Sequence, residues 1–538
     1  MISVLGFLII LGPLVIVHEF GHYIFARFFG VKAEIFSIGF GPRLWSRQCG
    51  ETELRVSAFP LGGYVKLLGE EPDVELSPAL QKRALQNQAA WKRFFIFFGG
   101  PLFNFLFAIL IFMVILVKGE PHLASVVGRT VEGSVAQHVG FQSGDKILAV
   151  NGKPVNKFDE VMMAIDDSPG KEMHFQVLHP RTSQPIEIAI TPTSQDGFSV
   201  YGESTHVGEI EGLLPNARGN QVGVSNPNSP AGKAGVKTGD KIAQFNGTSL
   251  DSWEELERLF QSAPSRAVLN YKFEDGKQLS FTKPAGATSL GQAFGMYSSE
   301  LFVEKTVPKS PAEVAGIKSG DHLIGIGKQD VHGFFELKDA VQRAGERDGK
   351  VLVRWERNGV EMVSMIDPTV TSGRDPALKK THQFTVGVMP MMVWAEPPMY
   401  LERVWNPFML VITATERMAV LSWRNLVSLR KMFSGDVSVG TLGGPILIGK
   451  IAGESLSHGL IAFLTTMAIL SVGLGVLNVL PIPVLDGGHL LLLGIEAIRR
   501  KPLTMRQMEI FQQIGLSLIL ILMVIVIRND LARLPLFN

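Results

Sequence analysis

Apolar residues in this chain are concentrated in four long runs, and the stretches between them mix apolar and polar positions. The runs cover residues 2–29, 94–117, 460–485 and 511–527. A helix needs about 20 mostly apolar residues to cross the hydrocarbon core of a bilayer, and each run is near or above that length. The pattern therefore predicts four transmembrane helices.

The first run could instead be a secretory signal peptide. Such a peptide begins with a basic segment and ends at a cleavage site flanked by small residues. This run has no Lys or Arg before its apolar residues and no small-x-small pattern near its end. A retained span is therefore the better interpretation.

Lysine and arginine residues near the ends of the runs predict the orientation, because positively charged loops stay in the cytoplasm. Residues 30–93 carry nine Lys and Arg residues, and the loop after the third run carries four more. Both loops are predicted to be cytoplasmic. The N-terminus, the long middle region and the C-terminus are then predicted to face the opposite side.

The middle region has a soluble composition and contains an internal repeat at residues 133–152, 228–247 and 309–327. Its Gly-Asp pairs lie 95 and then 81 residues apart, which is the size of a small domain. Each copy predicts a short helix, a glycine turn, a strand, a turn of the Asn-Gly type and a second helix. The second helix is clearest at residues 252–261, and the third copy has Gly327-Lys328 at the turn.

The repeat resembles the PDZ domain through the pattern Ala-Gly-x-x-x-Gly-Asp-x-Ile. The first copy has Val139 in place of the alanine, and the third has Leu323 in place of the isoleucine. The resemblance implies α+β domains that bind extended chain ends at a sheet edge. Structural spacers or size filters without a peptide ligand are the open alternative.

The amino-acid composition further narrows the class of protein to which this chain can belong. Hydrophobic residues make up 46% and charged residues 19%, with a mean hydropathy of +0.21, as expected for a membrane protein with a large soluble part. The net charge of +1 gives no basic field for nucleic acid, so no nucleic-acid partner is expected. Cys49 is the single cysteine, which excludes an intrachain disulfide.

The first run contains His18-Glu19-Phe20-Gly21-His22, which has the spacing H-E-x-x-H. On a helix, positions i and i+4 share a face, so both imidazoles could bind one zinc ion. Glu19 could then act as general base toward water. Ionisable residues in an apolar span are costly and mark functional sites. The alternative is that the span ends before His18 and these residues are interfacial.

A catalytic zinc ion needs a third protein ligand. The longer pattern of soluble proteases would place a histidine at position 28, where this chain has Phe28. The best candidate is Asp486, the only acidic residue between Glu454 and Glu496. Its predicted place at the cytoplasmic end of the third span matches the membrane depth of the two histidines.

Two prolines, Pro481 and Pro483, come just before this aspartate and should break the helix. An irregular segment at membrane depth is tolerated only inside protein or beside a wet cavity, and its free backbone groups could pair with a substrate. His489 could be a fourth ligand, but we interpret it as a residue that supports the ligands or starts a helix.

The H-E-x-x-H motif together with N-x-x-P-x-P-x-L-D-G-G at residues 478–488 resembles the double signature of the site-2 protease family, which are intramembrane zinc metalloproteases. With PDZ-like repeats between spans two and three, the chain is similar to the regulator of sigma-E protease (RseP) group. Across essentially the whole chain, the resemblance implies zinc bound by His18, His22 and Asp486, with Glu19 as catalytic base. It implies that Asn478 binds substrate backbone or the oxyanion. Familiar members carry two PDZ domains, whereas this sequence predicts three.

Two other segments carry expectations. Residues 31–68 predict β-hairpins, and the family implies a sheet that dips toward the membrane and offers an edge to the substrate. An ordinary cytoplasmic hairpin is the alternative. Residues 402–431 are amphipathic and include Trp405 and Trp423, so they predict either a helix on the outer membrane surface or a plain soluble helix. Gly99-Gly100-Pro101 and Asn104 lie near the start of the second span, where small residues allow close helix packing. The family implies that this helix lies behind the helix of the H-E-x-x-H motif.

The predicted fold is a multi-span α-helical membrane protein with a membrane-associated β-hairpin region and inserted α+β PDZ-like domains. The predicted boundaries are 1–118 for the N-terminal membrane part, 119–204, 205–288 and 289–392 for the three PDZ-like copies, and 393–538 for the C-terminal membrane part. Asn478, Pro481 and Pro483 are the predicted substrate-binding residues.

The predicted function is regulated intramembrane proteolysis by a zinc metalloendopeptidase. Its expected partners are membrane lipid and single-span membrane proteins of the anti-sigma-factor type, or signal-peptide remnants, which the PDZ-like copies could contact at their C-termini. The expected location is a bacterial inner membrane, with the PDZ-like region in the periplasm and the active site toward the cytoplasm.

Two other functions fit the sequence less well. A membrane scaffold with PDZ modules and an inactive site would have no reason to keep both Glu19 and Asp486. A proton-coupled transporter would be expected to show inverted repeats among its spans, and the sequence shows none.

Overall fold

The computed structural model describes residues 2–69, 77–180, 182–199, 204–374, 380–501 and 503–533. Its N-terminal part contains α1 (Ile2–Phe28), β1 (Ala33–Cys49), β2 (Thr52–Leu67), α2 (Pro78–Gln81) and α3 (Ala90–Lys118). β3 (Glu120–Leu123) then leads into the middle region.

The middle region contains three successive sets of short elements. The first set is β4 (Arg129–Thr130), α4 (Val135–His138), β5 (Lys146–Val150), β6 (Lys153–Pro154), α5 (Phe158–Asp166), β7 (Met173–Leu178), β8 (Ile186–Ile190), β9 (Thr193–Phe198) and β10 (Ser204–Glu209). The second is β11 (Leu213–Leu214), β12 (Val222–Gly223), α6 (Pro230–Lys233), β13 (Ile242–Phe245), β14 (Thr248–Ser249), α7 (Trp253–Ser262), β15 (Val268–Phe273) and β16 (Gln278–Thr282). The third is α8 (Leu290–Phe294), β17 (Tyr297–Ser298), β18 (Val303–Thr306), α9 (Pro311–Val314), β19 (His322–Ile326), β20 (Gln329–Asp330), α10 (Phe334–Asp348), β21 (Val351–Arg357), β22 (Val360–Ile366), β23 (Thr369–Arg374), β24 (Lys380–Thr385) and β25 (Val388–Pro390).

The C-terminal part begins with β26 (Met399–Glu402), which pairs antiparallel with β3. The chain thus returns from the middle region beside the point where it left the membrane part. The remaining elements are α11 (Pro407–Ser434), α12 (Pro445–Ser457), α13 (Leu460–Val479), α14 (Asp486–Arg499) and α15 (Met505–Ala532). Three short 3-10 helices lie at Leu85–Asn87, Ser299–Leu301 and Val439–Thr441.

Among the described residues, four helices are long and apolar enough to cross a membrane, which confirms the predicted number of spans. These segments are Leu8–Phe28, Ala90–Lys118, Leu460–Val479 and Arg506–Ala532. The third apolar run extends to about residue 485, but its helix ends at Val479, just before the two prolines that were predicted to break it. The reason is the proline pair in the next residues, because proline lacks the amide hydrogen that an α-helix needs and its ring clashes with the preceding turn.

The membrane part is organised around α3. Its inward side contacts α1, α13, α11 and α14, and the shared core includes Ile10, Leu14, Phe112, Met467 and Val472. Outward-facing apolar side chains of α15, such as Ile514 and Val524, are exposed. A helix with apolar residues on its exposed side suits a lipid environment.

Glycines make the crossing of α1 and α3 close. A Cβ atom on Gly21 would collide with the carbonyl oxygen of Gly99, and one on Gly99 would lie 2.6 Å from the carbonyl oxygen of Gly21. The small residues predicted to allow close packing therefore do so, and they bring the two helix backbones into contact beside His22.

Strands β1 and β2 form one long antiparallel hairpin, which confirms the β prediction for residues 31–68. Near α1 the pairing is irregular, because residues 35–38 of β1 lie between two parts of β2: Phe36 is opposite both Leu54 and Val65, and Ser37 is opposite both Arg55 and Tyr64. Farther along the hairpin, Leu44 is 69% exposed and Trp45 is 53% exposed. The hairpin thus has one end packed on the first span and apolar residues on its exposed part.

The three sets of the middle region each contain a four-stranded antiparallel sheet with the same order. The orders are β6-β5-β7-β8, β14-β13-β15-β16 and β20-β19-β21-β22. The turn after the first strand uses a left-handed residue in every copy, with φ of 49° at Asn151, 48° at Asn246 and 60° at Gly327. The third copy therefore replaces asparagine by glycine without changing the backbone conformation, since both residues tolerate positive φ.

The Gly-Asp pair of the repeat has a structural role. In each copy the aspartate accepts a hydrogen bond from the backbone amide three residues earlier. In each copy the aspartate also pairs with a basic side chain at or just beyond the end of the third strand in chain order. The pairs are Asp145 with His179, Asp240 with Lys277 and Asp321 with Arg357. The motif therefore closes the loop before the strand, and its recurrence reflects folding.

The three sets meet at a buried ionic contact. Arg129 of the first set pairs with Glu300 at 2.8 Å, and both side chains are at most 5% exposed. Arg218, at the start of the second set, pairs with Glu254 at 2.6 Å and lies 3.8 Å from Glu300. The same Glu300 accepts a hydrogen bond from the backbone amide of Phe334 in the third set. One carboxylate thus joins all three copies.

The predicted amphipathic helix is α11, which begins at Pro407 rather than at residue 402 because Glu402 belongs to β26. Leu410 and Ala414 are buried against the membrane part, while Phe408 and Trp423 are exposed. Its position on the outer membrane surface stays a prediction.

Candidate active site

The two histidines of the H-E-x-x-H motif face the aspartate that begins α14. Nε2 of His18 lies 3.2 Å from Nε2 of His22 and 3.2 Å from Oδ2 of Asp486. Nε2 of His22 lies 3.3 Å from Oδ1 of Asp486. The side chains are 11%, 12% and 16% exposed, respectively. The structure therefore brings together the three predicted ligands in a nearly buried cluster.

The spacing of these donor atoms fits a zinc ion. Zinc binds imidazole nitrogen and carboxylate oxygen at about 2.0–2.2 Å, so two ligand atoms of a tetrahedral site lie about 3.3–3.5 Å apart. The three measured distances are within about 0.2 Å of that range. Two neutral imidazoles and one carboxylate are also a common ligand set for catalytic zinc, and they leave the fourth position open.

Gly100 of α3 forms the wall behind the two rings. A Cβ atom at this position would collide with Nε2 of His22 and come within 2.8 Å of Nε2 of His18. The glycine therefore leaves room for an ion beside the two nitrogen atoms, which any larger residue would occupy.

The orientation of His22 suits metal binding. Its Nδ1 lies 2.8 Å from the backbone carbonyl oxygen of Ile96. A carbonyl oxygen can only accept, so Nδ1 carries the hydrogen and Nε2 keeps its lone pair. Such a hydrogen bond fixes the tautomer and the ring plane of a metal-binding histidine.

Glu19 lies between the metal cluster and the hairpin. It follows His18 on α1 and is within electrostatic reach of both histidines and Asp486. On its other side, a Cβ atom on Gly63 of β2 would be 3.2 Å from its Cγ atom. If the cluster held a metal ion, this carboxylate would lie between that ion and a chain placed along the hairpin.

Close backbone packing explains the Asp-Gly-Gly sequence. A Cβ atom on Gly487 would collide with the carbonyl oxygen of Leu480, and one on Gly488 would be 2.5 Å from the carbonyl oxygen of Ile482. The chain between α13 and α14 therefore folds back over the first turn of α14. Val484 in this segment has φ of 78°, a conformation that is unfavourable for a β-branched residue.

The predicted substrate-binding residues lie in this same region. Asn478 is half-buried in the last turn of α13, Pro481 is exposed and Pro483 is half-buried against Gly515 of α15. They precede Asp486 directly in the chain. Their contact with substrate stays a prediction.

His489 does not join the three ligands in the part of the chain that the structure describes. Its ring stacks on Phe97 of α3, with ring centroids 4.6 Å apart and the planes 6° from parallel. His489 lies in the first turn of α14, and its support of the ligands stays a prediction.

Sequence reasoning missed two features. Asn104 was considered only for helix packing, but its side chain lies 3.0 Å from Nδ1 of His18. A polar amide in an uncharged apolar run was the available signal. A second cluster that could hold a metal ion, formed by Glu120, His122 and Glu402, was also missed because its residues are far apart in sequence.

Comparison with known proteins gives consistent results. The model of peptidase family M50 matches residues 6–522. The regulator of sigma-E protease RseP of Escherichia coli (strain K12) is 29% identical over 540 residues, which cover 98% of each chain. Protease RseP of Yersinia pestis is 29% identical over 542 residues, covering 99% of each chain. A Pasteurella multocida (strain Pm70) protein, named as a predicted zinc metalloprotease, is 30% identical over 535 residues and 99% of each chain.

Proposed function

Because the chain belongs to peptidase family M50, the site-2 proteases, we propose that this zinc metalloprotease cleaves single-span membrane proteins within the membrane. The observation that carries the proposal is the cluster of His18, His22 and Asp486, whose donor atoms are 3.2–3.3 Å apart at the meeting point of α1, α3 and α14. Two of the three ligands lie on a candidate membrane span.

The chemistry needs an electrophile, a base and an acid. His18, His22 and Asp486 would hold the zinc ion, which would supply Lewis acidity toward a peptide carbonyl and toward water. Glu19 accepts the proton of the attacking water and returns it to the leaving amine. Its position one residue after His18 places the carboxylate on the side of the hairpin, from which a substrate would approach.

The substrate must be extended before it can be cut, because the peptide bonds of a helix are shielded by its own hydrogen bonds. Strand β2 packs against α1 beside Glu19, and an edge of the hairpin offers main-chain groups to an unwound substrate. The segment 478–483 lies next to the ligand Asp486, and the amide of Asn478 is suited to donate to the developing oxyanion.

The substrate class follows from the relatives. A curated relative is named a regulator of sigma-E protease, which favours a membrane-anchored anti-sigma factor as substrate. Remnants of signal peptides have the same single-span character and are a second group of candidate substrates. Both would enter from the lipid phase.

The orientation follows from charge. Nine Lys and Arg residues at 30–93 and four more at 499–506 favour a cytoplasmic position for these two segments. The active site then lies toward the cytoplasmic side of a bacterial inner membrane, and the three PDZ-like copies lie in the periplasm. There they would contact the substrate or its chain ends.

The test combines metal analysis with cleavage. Wild type, Glu19→Gln and Asp486→Asn are purified in detergent, and bound zinc and cleavage of a model single-span peptide are measured. Wild type should hold one zinc ion and cut the peptide. Glu19→Gln should keep zinc and lose about 10²–10⁴-fold in rate, because it removes general-base catalysis. Asp486→Asn should lose both zinc and cleavage.

Retained cleavage by Glu19→Gln would show that this carboxylate is not the base. Retained zinc in Asp486→Asn would remove the aspartate from the ligand set.

A further inference from the structure

Asn104 is a polar residue buried completely in the second span. Its exposure is 0%, and it lies on α3 one turn after Gly100, the glycine behind the zinc ligands. The Nδ2 atom of its side chain lies 3.0 Å from Nδ1 of His18. A buried amide inside an apolar helix is expensive unless its polar atoms are paired.

The role of this contact depends on which atom of the Asn104 amide faces Nδ1 of His18. The far end of the amide, placed as Oδ1, is buried without a hydrogen-bond partner among the described residues, so the contact with His18 decides which way the amide points. The oxygen and nitrogen of an amide have nearly the same shape, so the hydrogen-bond network decides which atom faces the ring. If Nε2 of His18 is to bind a metal ion, Nδ1 must carry the hydrogen and act as a donor. Oδ1 is then the atom that faces His18.

We propose that Asn104 is a positioning residue for the metal site, whose side-chain carbonyl accepts a hydrogen bond from Nδ1 of His18 and so fixes the tautomer and plane of that ring. The proposal rests on the proposed role of His18 as a zinc ligand. It makes the two histidines equivalent, since Nδ1 of His22 donates to the backbone carbonyl of Ile96 on the same helix. Both rings are thus oriented by α3.

Asn104 is itself held from the third span. The hydroxyl group of Ser471 on α13 donates to its backbone carbonyl at 2.8 Å, and Ser471 is also completely buried. The three helices α1, α3 and α13 are therefore linked by polar contacts at the depth of the site. Because the contact to Ile96 uses backbone atoms, Asn104 is the orienting group that mutation can remove.

A purely structural role is the competing explanation, since polar residues also hold membrane helices together. The two roles differ in what they require of the side chain. A positioning role requires an acceptor atom facing Nδ1 of His18, whereas packing requires only volume. Asn104→Leu keeps the volume and removes the acceptor, and Asn104→Asp keeps both.

The experiment measures how tightly the full-length, zinc-loaded protein holds zinc in detergent, by competition with a chromogenic chelator. Thermal unfolding of each variant is recorded in parallel. Asn104→Leu should bind zinc about 10–100-fold more weakly than wild type, the usual effect of removing a group that orients a ligand. Asn104→Asp should restore the affinity to within a few-fold of wild type. Ser471→Ala, which removes the neighbouring helix contact, should leave zinc affinity unchanged.

Wild-type zinc affinity in Asn104→Leu would overturn the proposal. Equal losses in the Leu and Asp variants would also overturn it, because the acceptor would then be irrelevant. If Asn104→Leu does not fold, Asn104→Ser takes its place, since its shorter side chain cannot reach the ring. His18→Ala separates this proposal from the proposed function: unchanged zinc in that variant would remove His18 as a ligand, whatever the Asn104 variants do.

Discussion

Two clusters in the described part of the chain offer a metal ion three ligand atoms close together, and only one of these two has the properties of a metal site. The inner cluster is His18, His22 and Asp486, and the outer cluster is Glu120, His122 and Glu402. Both contain histidine and carboxylate side chains that are largely shielded from solvent.

The two clusters differ in whether lysine or arginine side chains pair with their carboxylates. In the outer cluster, Arg417 pairs with Glu120 at 2.6 Å and with Glu402 at 2.7 Å, and Lys157 pairs with Glu402 at 2.6 Å. In the described part of the chain, the ion pairs of Asp486 are with the two histidines alone. The outer carboxylates are therefore neutralised by the protein, whereas the inner one is available to an ion.

Each cluster consequently has a different role. The outer one joins β3 and β26 to α11 and to Lys157 of the first copy, so it attaches the middle region to the membrane part. The inner one joins α1 to α14 through atoms that also fit zinc. A set of possible ligands becomes a site only where the fold keeps cations away from it.

The largest difference in zinc binding between the two clusters should appear when one carboxylate is removed from each. Asp486→Ala should abolish zinc binding and cleavage, since two histidines alone do not complete a catalytic site. Glu402→Ala should leave one zinc ion bound and cleavage nearly unchanged. Zinc content by elemental analysis checks both. Loss of zinc in Glu402→Ala would show that the outer cluster holds the metal or controls the inner one.

A smaller effect should follow from filling the space beside the histidines. Gly100→Ala adds a methyl group that would collide with Nε2 of His22. Metal sites tolerate ligand displacements of only a few tenths of an ångström, so this variant should bind zinc more weakly by more than about tenfold. Gly473→Ala on α13 is the matched control, since its added Cβ would have no neighbour within 4 Å. Chelator competition measures both, and equal affinity in the two variants would contradict the geometry.

Removing Arg417, which pairs with both carboxylates of the outer cluster, should lower the stability of the fold moderately and leave zinc binding unchanged. Arg417→Met leaves two shielded carboxylates without their shared partner, which should cost about 1–3 kcal/mol of unfolding free energy. Arg430→Met, an exposed position on the same helix, should cost little. Unfolding in denaturant measures the difference between the two. An unchanged midpoint in Arg417→Met would mean that the outer cluster does not hold the parts together.

The smallest expected effect is the pH dependence of the outer cluster. Burial alone would raise the pKa of Glu402, but Lys157 and Arg417 outweigh it, so its pKa lies below the ordinary value of 4.5. The stabilisation is therefore complete above about pH 4.5 and is lost as the pH falls through the lower pKa of the folded protein. Thermal unfolding below pH 4.5 should show this loss in wild type and not in Glu402→Gln. Parallel curves for the two proteins would exclude Glu402 as the source.

Much of the site could be predicted because its motifs are local. The i, i+4 spacing of His18 and His22 needs only a helix, and the proline pair before Asp486 indicates a break whatever surrounds it. Asp486 could be paired with the histidines because acidic residues are rare in that stretch of the chain. The apolar run alone would extend the third helix to about residue 485, and the proline pair is the signal for its earlier end at Val479.

The contacts that orient the ligands could not be predicted in this way. The carbonyl of Ile96 is a backbone group, which no residue pattern reveals, and Asn104 is 86 residues from His18 in the chain. The outer cluster unites residues almost 300 positions apart, such as Glu120 and Arg417, which pair only because β3 and β26 lie side by side.

The sequence by itself determined the four spans, the repeat, the ligand motifs and the hairpin, because hydrophobic length, periodicity and close spacing act over a few turns of chain. Only the tertiary structure decided which charged cluster is free to bind an ion, which glycines make room for it and which groups orient the histidines. Those properties depend on distances between segments far apart in the chain, and such distances are set by packing.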